Sequence, residues 1–382
     1  MKEFIESRYN LFLEDLQTLV NIDSGSSYTP GIKEIAIFFK KRFEAIGFKT
    51  TILLLGDEKI PCLKAWNKSE KMRSDIMFLG HMDTVFPYGE VKKRPFFIKD
   101  GKAYGPGVCD MKGGLLVSLH VLETLKEKGV LDDLSVLVAF NGDEETGSNS
   151  SRDWIFSNAK KSKRVFVFEP CRPGYRFVLK RKGYGWFRII VHGQAAHAGA
   201  EPNKGINAVV ELARQILAID KLNFPGSGVS AQVTIIKGGN KLNIIPDKAI
   251  AEVDIRIANL EGEKKAESFF EILPEKPFLK NVKISVEGGI CRPPMVPDQN
   301  VFNLWDIVRA KAKENNLEIC HISTGGCSDG NFTTAAGVPT IDGMGLVGTN
   351  MHRKDEYIEL ESINNIILLI AKVCKHICEH RK

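Results

Sequence analysis

The spacing of apolar residues predicts alternating helices and strands over roughly the first 180 residues. Apolar residues recur at helical spacing in three segments, residues 1–20, 31–46 and 113–128. Short apolar runs, which are typical of buried strands, occupy residues 76–80, 134–140 and 165–168. Helices that alternate with buried strands are typical of a mostly parallel sheet with helices on both faces, so this part is predicted to be an α/β domain.

A different pattern begins near Arg181. Strands are predicted at residues 185–191, 229–237, 249–257 and 282–287, and helices at residues 205–220 and 262–272. Their order, β-α-β-β-α-β, is that of a ferredoxin-like unit. The earlier pattern resumes after Pro293 and Pro294. The 382 residues fit two domains, so we predict a smaller domain, residues 182–290, inserted into a larger one, residues 1–181 and 291–382.

Composition and charge exclude several functional classes. Hydrophobic residues (43%) and charged residues (26%) are present in the proportions of an ordinary globular protein. The net charge is +6, but basic residues are scattered, whereas nucleic-acid binding favours a basic stripe. Charged residues interrupt the first 20 positions, unlike a signal peptide, and no apolar run reaches the ~20 residues of a membrane span. We therefore expect a cytoplasmic protein that binds neither nucleic acid nor membranes, with its eight cysteines reduced.

Acidic residues follow each of the three predicted buried strands, and a histidine follows the first. His81 and Asp83 follow the first strand, Glu144 and Glu145 the second, and Glu169 the third. Open α/β sheets build their binding sites from the loops at the carboxyl ends of strands. These five side chains are therefore candidates for one site.

The chemistry that these residue types favour is metal binding with acid–base catalysis. Asp83 can orient the ring of His81, as carboxylates commonly do for metal-binding histidines, although a solvent-exposed loop histidine has the same sequence. The carboxylates of Glu144 and Glu145 repel each other unless a cation or a proton balances their negative charge. One of the two can bind a metal ion while the other acts as general base; the alternative is a solvated acidic turn.

Two further candidates lie outside these strand ends. Asp110 lies in a glycine-rich turn before a predicted helix, where Gly113 and Gly114 allow close backbone approach, although an aspartate there could be only a helix N-cap. The glycine spacing does not match a dinucleotide-binding fingerprint. His352 precedes the last predicted helix, and a lone histidine is more often structural than a ligand. Together, the histidines and carboxylates suffice for a two-metal site with one bridging carboxylate.

This set of motifs resembles the di-zinc aminoacylase and carboxypeptidase family, over nearly the whole chain and in consistent order. That family includes acetylornithine deacetylase, succinyl-diaminopimelate desuccinylase and, most similar, the folate-cleaving glutamate carboxypeptidases. The resemblance implies an α/β zinc-exopeptidase catalytic domain with a mostly parallel sheet and an inserted ferredoxin-like (βαββαβ) lid. It also implies a homodimer formed through residues 182–290 and two Zn²⁺ ions per chain, with Co²⁺ or Mn²⁺ as alternatives.

The resemblance assigns metal ligands position by position. His81 would bind one ion and His352 the other, and Asp110 would bridge both. Glu145 and Glu169 would each complete the ligand set of one ion. The peptide bond from Asp110 to the next residue would be cis.

The remaining roles follow from the same resemblance. Asp83 would orient His81, and Glu144 would be the general base. His197 would reach the active site of the partner subunit and stabilise the tetrahedral oxyanion. Substrate contacts are implied at Asn243, Arg256, Arg292, Thr324 and Gly326. Arg256 could instead form only an ion pair on the sheet of the smaller domain.

The implied activity is hydrolysis of an amide bond adjacent to a free carboxylate, in a small peptide or an N-acyl amino acid. A glutamate carboxypeptidase and an N-acyl-amino-acid deacylase of the acetylornithine deacetylase or desuccinylase type both fit. A glutamate rather than an aspartate at position 169 favours these two over aminopeptidase-like and dipeptidase-like relatives. Two cysteines depart from the pattern of the family: Cys109, beside Asp110, and Cys327, at a position where the family usually has glycine. Both narrow the substrate pocket, and neither replaces a metal ligand. An intact Glu144 favours catalysis over metal binding without turnover.

Overall fold

The computed structural model describes residues 1–70 and 72–380, which divide into two compact units. The first unit comprises Met1–Lys180, Pro297–Ser323 and Ser328–Lys382. The second comprises Arg181–Val296 and Thr324–Cys327, so it is an insertion in the first. No helix within the described ranges has the length and apolar character needed to cross a membrane.

The helices are numbered in chain order. Their bounds are α1 Lys2–Ser7, α2 Tyr9–Val20, α3 Thr29–Ala45, α4 Glu90–Lys93, α5 Gly113–Glu127, α6 Arg152–Lys160, α7 Ala208–Asp220, α8 Leu260–Ile272, α9 Gln299–Lys313, α10 Gly330–Ala335 and α11 Ser362–Glu379.

The strands are numbered in the same way. Their bounds are β1 Lys49–Leu55, β2 Ile60–Trp66, β3 Ile76–His81, β4 Phe97–Lys99, β5 Lys102–Tyr104, β6 Val136–Asn141, β7 Val165–Val167, β8 Arg176–Arg181, β9 Gly183–His192, β10 Ala196–His197, β11 Val229–Gly238, β12 Ile244–Ile245, β13 Lys248–Ile257, β14 Lys283–Arg292, β15 Cys320–Thr324, β16 Thr340–Ile341, β17 Gly348–Thr349 and β18 Tyr357–Glu359.

The central sheet of the first unit has the order β1-β2-β6-β3-β7-β16. The strands from β6 to β16 are parallel neighbours, whereas β1 and β2 form an antiparallel hairpin at one edge. Every residue of β3 and β6 is buried, as expected for strands that are covered on both faces. The predicted mostly parallel α/β fold is confirmed, although the sequence pattern missed the edge hairpin.

Side chains of the parallel strands alternate between two apolar cores. Phe78 and Val138 belong to the core shared with α2, α3, α5 and α11. Met77 and Leu137 belong to the core that includes residues of α6 and α10. Helices therefore cover both faces of the sheet, as predicted.

The prediction of a single helix over residues 1–20 is wrong. The chain forms α1 and α2, which are separated at Arg8, where φ is −101° and ψ is 5°. The guanidinium of Arg8 donates a hydrogen bond to Glu123 in α5 at 2.7 Å. The break thus coincides with an ion pair to a carboxylate on a buried helix, which helical periodicity does not reveal.

The second unit is a four-stranded antiparallel sheet with the order β11-β13-β9-β14. The helix α7 lies between β9 and β11 in the chain, and α8 lies between β13 and β14, which gives the predicted βαββαβ order. Side chains of both helices share one apolar core with alternate residues of the strands, among them Ile189, Leu212, Ile255 and Phe270.

The compact second unit extends beyond residue 290. Its last strand, β14, continues to Arg292, and Arg181 and Met295 exchange two backbone hydrogen bonds of 3.1 and 3.0 Å. Thr324 joins the unit because its carbonyl accepts a hydrogen bond from the backbone N–H of Lys182 at 3.1 Å. Such pairings between distant segments depend on the fold and leave no local signal in the sequence.

The two glycines after Asp110 lie against other backbone segments. A Cβ atom at Gly114 would lie 2.0 Å from the carbonyl oxygen of Phe168, and one at Gly113 would lie 2.6 Å from that of Val108. The predicted close approach of backbone at these positions is confirmed. It brings the start of α5 directly against the residue that precedes Glu169.

We expect the substitution Gly114→Ala to lower the free energy of unfolding by about 1–3 kcal/mol, since the backbone must shift to admit the methyl group. Thermal or urea unfolding followed by circular dichroism measures this change. The matched control is Gly289→Ala, where an added Cβ atom meets no heavy atom within 4 Å. Equal stability of the two variants would contradict the prediction.

Candidate metal centre

Three adjacent parallel strands bring their following loops to one edge of the central sheet. In the parallel register, His81 at the end of β3 lies opposite Asn141 at the end of β6. On the other side of β3, Leu79 lies opposite Val167, the last residue of β7. The loops that carry Glu144, Glu145 and Glu169 therefore begin beside His81, as the sequence pattern predicts.

A second, smaller sheet brings in the two remaining candidates. Its order is β17-β18-β5-β4, and Tyr357 at the start of β18 lies opposite Tyr104 at the end of β5. The turn that carries Asp110 follows β5, and the loop that carries His352 precedes β18. The antiparallel pairing therefore places these two segments at the same end of the sheet.

The first group of possible ligands consists of His81, Asp110 and Glu169. The Nε2 atom of His81 lies 3.1 Å from Oδ1 of Asp110 and 3.6 Å from Oε1 of Glu169. The His81 side chain is buried, and its other ring nitrogen, Nδ1, lies 3.0 Å from the backbone oxygen of Asp83 and 3.4 Å from its carboxylate. The protein thus holds the ring from one side and leaves Nε2 among carboxylates.

The second group consists of His352, Asp110 and Glu145. The Nε2 atom of His352 lies 3.2 Å from Oδ2 of Asp110 and 3.1 Å from Oε2 of Glu145. The two oxygens of Asp110 therefore face different histidines. This is the arrangement that a carboxylate bridging two ions requires.

Each group fits a divalent cation. Within each, one ligand atom per residue lies within 4.8 Å of the others, and Asp110 belongs to both. Oε1 of Glu145 is buried and has no hydrogen-bond partner among the residues that the structure describes, so it offers a carboxylate oxygen to an ion. Imidazole nitrogens and carboxylate oxygens suit Zn²⁺, Co²⁺ and Mn²⁺. Two such ions would offset the repulsion among the clustered carboxylates.

The protonation states of the ion-free site follow from the same contacts. Burial alone would lower the pKa of His81, but the carboxylates of Asp110 and Asp83 raise it well above its usual value. Hydrogen bonds to Asp110 and Glu145 raise the pKa of His352 to about 10. Burial acts to raise the pKa of Asp110, but the two histidines outweigh it and hold that pKa below its usual value. Without metal, the two histidines are therefore cationic and provide the positive charge in place of ions.

Asp83 contacts both the ring of His81 and the turn that carries Glu144 and Glu145. Its carboxylate accepts hydrogen bonds from the backbone N–H of Glu144 at 3.2 Å and of Glu145 at 3.1 Å, and from the hydroxyl of Ser26 at 2.7 Å. One fully buried aspartate thereby fixes the two adjacent glutamates relative to His81. Ser26 was not among the residues singled out in the sequence, since nothing nearby in the chain relates it to this site.

Backbone conformations at the site are unusual in two places. The peptide bond from Asp110 to Met111 is cis, as the family resemblance implies. His352 has φ of 64°, in the left-handed region that residues other than glycine rarely occupy. The neighbouring loop is braced by Asp355, which accepts hydrogen bonds from Asn350 at 2.8 Å and from Arg353 at 2.9 Å.

Sequence reasoning missed two buried ionisable residues beside the site. Glu356 is fully buried, and its carboxylate accepts hydrogen bonds from backbone N–H groups of the turn that carries Asp110. Burial raises its pKa to about 7, against the effect of those bonds. Burial also lowers the pKa of Lys112 to about 7, and its ammonium donates to the carbonyl of Ile22 at 2.7 Å. The one available signal was that Glu356 follows His352 by four residues.

The remaining candidates lie in the second unit. His197 is exposed in β10, and its Nδ1 accepts hydrogen bonds from the backbone N–H of Gly199 at 3.2 Å and of Ala200 at 3.0 Å. A neutral ring with Nδ1 as acceptor carries its proton on Nε2. Asn243 is exposed, and its backbone carbonyl accepts a hydrogen bond from the backbone N–H of Ala198 at 2.9 Å.

Arg256 is held by two neighbours in the second unit. Its Nε and Nη2 donate to the two oxygens of Asp254 at 2.9 and 3.1 Å, and its guanidinium carbon lies 4.7 Å from the centre of the Tyr184 ring. The ion pair that the sequence left open as an alternative is therefore present. This ion pair uses the edge of the planar guanidinium that is formed by Nε and Nη2. A different edge is formed by the two terminal nitrogens, Nη1 and Nη2.

The other expected substrate contacts lie at the ends of strands. Arg292 is buried at the end of β14. The hydroxyl of Thr324 accepts a hydrogen bond from the backbone N–H of Gly326 at 3.4 Å, and the carbonyl of Gly326 accepts one from Arg181 at 3.3 Å. The thiol of Cys327 donates to the carbonyl of Lys182 at 3.2 Å.

Comparison with known proteins gives concordant matches. Residues 77–376 match the model of peptidase family M20/M25/M40. Carboxypeptidase G2 from Pseudomonas sp. (strain RS-16) is 33% identical over 369 residues, which cover 94% of this chain and 88% of that protein. Succinyl-diaminopimelate desuccinylase from Wolbachia sp. subsp. Brugia malayi (strain TRS) is 25% identical over 388 residues, which cover 95% of this chain and 93% of that protein.

A solved structure supports the fold. The aminopeptidase PepT from Bacillus cereus ATCC 10987 has a TM-score of 0.74 and 21% sequence identity, and the match covers 97% of this chain and 98% of that one. At this level of identity, the similarity establishes the architecture alone.

We expect metal binding to release protons and to weaken as the pH falls. The raised pKa of His81 and of His352 keeps both rings protonated at pH 7 in the ion-free protein, whereas a metal ligand must be neutral. Titration calorimetry with Zn²⁺ in buffers of different ionisation enthalpy should therefore detect about two protons released per chain at pH 7. His376→Ala, in the last helix, is the control and should leave that number unchanged. Zn²⁺ binding without proton release would contradict the prediction.

Proposed function

Since the chain belongs to peptidase family M20/M25/M40, we propose that it uses two Zn²⁺ ions to hydrolyse an amide bond adjacent to a free carboxylate, as a glutamate carboxypeptidase does. The chain is a metal-dependent peptidase or amidohydrolase. The observation that carries the proposal is the Asp110 carboxylate, whose two oxygens face His81 and His352. When bound, the ions supply Lewis-acid chemistry that polarises the scissile carbonyl and lowers the pKa of water.

Glu144 is the proposed general base. Its backbone N–H is fixed by Asp83, and Glu145, the next residue, faces His352. Both residues lie in the 3₁₀ turn Glu144–Thr146, and with about three residues per turn adjacent side chains leave such a turn in different directions. One glutamate can therefore bind an ion while the other receives a proton. Glu144 takes a proton from the attacking water as the new C–O bond forms. It then delivers that proton to the leaving nitrogen as the C–N bond breaks.

His197 is the proposed donor to the oxyanion. The two backbone N–H groups that donate to Nδ1 leave the proton of the neutral ring on Nε2. An Nε2–H group can donate a hydrogen bond to the oxygen that gains negative charge in the tetrahedral state. Loss of one such donor in other hydrolases costs about 3–4 kcal/mol of transition-state stabilisation.

Arg256 is the proposed receptor for the free carboxylate of the substrate, with Asn243, Arg292, Thr324 and Gly326 as further contacts. The contacts of Arg256 with Asp254 and Tyr184 restrict its rotamers, so that less conformational entropy is lost when a carboxylate binds. A second carboxylate can bind at the edge of the guanidinium formed by its terminal nitrogens.

The second candidate function is deacylation of an N-acyl amino acid. The desuccinylase at 25% identity favours it, whereas the carboxypeptidase at 33% identity favours peptide cleavage. Both reactions cut an amide beside a carboxylate and use the same residues in the same roles. They differ in the group on the acyl side of the bond.

We further propose that the protein is a homodimer formed through the second unit. β11 is an edge strand, and its exposed residues include Ile235 and Ile236; Leu217 is exposed on α7. Antiparallel pairing of β11 with β11 of a second subunit, about a two-fold axis, would provide hydrogen-bond partners for the backbone groups of both edge strands. It would also bury these side chains. We also propose a cytoplasmic location, where the eight free cysteines stay reduced; cell fractionation tests it.

A substrate panel tests the proposed reaction. The Zn²⁺-loaded protein is incubated with peptides ending in glutamate, with folate, and with N-acetyl and N-succinyl amino acids. We expect cleavage of at least one class, and a loss of kcat by about 10²–10⁴-fold in Glu144→Gln, because that variant lacks the base. Glu58→Gln, on the exposed turn between β1 and β2, is the control. Turnover that survives in Glu144→Gln would reject this role for Glu144.

The same panel tests the requirement for a carboxylate. Each cleaved substrate is compared with its carboxamide analogue, which we expect to resist hydrolysis. Arg256→Lys should raise KM by about tenfold or more, since lysine cannot donate two parallel hydrogen bonds to a carboxylate. Equal cleavage of acid and amide would contradict the proposed substrate class.

Mixed dimers test whether His197 acts across a subunit interface. Glu144→Gln and His197→Ala are each expected to be inactive alone. Co-expressed in equal amounts, they should recover about a quarter of the wild-type activity, because half of the dimers are mixed and each mixed dimer has one complete site. No recovery in a preparation that native mass spectrometry shows to contain mixed dimers would place His197 in its own subunit's site.

A further inference from the structure

Glu356 accepts three backbone hydrogen bonds from a single turn. Its Oε1 accepts from the N–H groups of Cys109 at 2.8 Å and of Asp110 at 2.9 Å, and its Oε2 accepts from that of Gly107 at 3.1 Å. The side chain has no exposed surface, so these bonds do not compete with water. They join residues about 250 positions apart in the chain, and they hold the backbone that carries Asp110.

The turn needs an acceptor from outside because it is not helical. Asp110 has φ of −117° and ψ of 91°, and Gly107 has φ of 73°. Backbone N–H groups in such a turn point towards a common centre instead of towards carbonyls one helical turn earlier. If the Glu356 carboxylate were absent, these buried donors would be left without partners, and the turn would have to reorganise.

Glu356 also belongs to the segment that carries His352. It follows that histidine by four residues, its backbone N–H donates to the carbonyl of Arg353 at 3.3 Å, and β18 begins at the next residue. One side chain therefore connects two ligand-bearing segments. It controls where Oδ2 of Asp110 lies relative to Nε2 of His352, which is 3.2 Å away.

From these contacts we infer that Glu356 is a positioning residue for the metal centre: its carboxylate fixes the Asp110 turn so that the two oxygens of Asp110 divide between the two ion sites. It binds neither ion and touches no substrate atom. Its contribution is the orientation of a bridging ligand, and it therefore acts on both ions together.

This inference rests on the proposed two-ion centre, but its test needs no turnover. Co²⁺ and Zn²⁺ affinities are measured by competition with a chelator, together with the visible absorption spectrum of the Co²⁺-loaded protein. Wild type, Glu356→Gln and Glu356→Asp are compared at a temperature well below the melting point of each. The control is Glu359→Gln in β18, because the described hydrogen bonds of Glu359 are backbone bonds with Val347 and Ser362 and none reaches residues 107–110.

We expect Glu356→Gln to weaken binding of both ions by about 10–100-fold and to change the Co²⁺ spectrum, since an amide offers one acceptor oxygen where three donors converge. Glu356→Asp keeps the charge but is one methylene shorter, so its affinities should lie between those of wild type and Glu356→Gln. Glu359→Gln should match wild type in affinity and spectrum.

Three results with the variants would overturn the inference. A folded Glu356→Gln variant with wild-type affinities and spectrum would show that the carboxylate does not orient Asp110. Weakened binding of one ion alone would exclude an effect through the bridge. Failure of both variants to fold even in the cold would make Glu356 a determinant of the fold instead. A wild-type protein that binds two ions and cleaves no substrate would reject only the proposed function, whereas one that binds no ion would reject both.

Discussion

The central constraint in the first unit is the position of one carboxylate. The two oxygens of Asp110 lie 3.1 and 3.2 Å from nitrogens of His81 and His352, so both groups of ligands share this residue. A displacement of its backbone would disturb both groups at once. The fold meets this constraint with contacts to the Asp110 turn from several directions. Gly113 and Gly114 allow close approach of backbone next to the turn, and Glu356 accepts hydrogen bonds from its N–H groups.

Charge is the second organising factor of the site. Asp83, Asp110, Glu145 and Glu169 concentrate negative charge at one edge of the sheet, and the contacts of the two histidines raise their pKa values. Protons on the histidines and cations between the carboxylates are alternative ways to balance that charge. A metal ion that binds to either histidine would therefore have to displace a proton.

The two units contribute different chemistry to the proposed reaction. The first would supply the metal ligands and the base. His81 ends the fully buried strand β3, and Glu144 and Glu145 follow the fully buried strand β6. Asp110 and His352 instead lie next to the short strands β5 and β18 of the smaller sheet. The second would supply His197, whose Nδ1 accepts hydrogen bonds from backbone N–H groups, and Arg256, which is held by Asp254 and Tyr184. In both units the reactive groups are fixed by contacts within the protein, which reduces the entropy that binding must overcome.

The sequence by itself determined the α/β class, the inserted βαββαβ unit and the residues that gather at the metal centre. The fold class and the inserted unit depend on periodicity, and the candidates at strand ends depend on the residue types that follow strands; both are local. The ligand roles of Asp110 and His352 came from the family resemblance, which is also a property of the sequence. Only the tertiary structure decided the break at Arg8, the edge hairpin of β1 and β2, and the contacts of Ser26, Lys112 and Glu356. Each of these depends on segments that are distant in the chain and meet only after folding. A buried carboxylate that binds a turn about 250 residues away has the same local sequence as an exposed one, because burial and partners are properties of the packed chain.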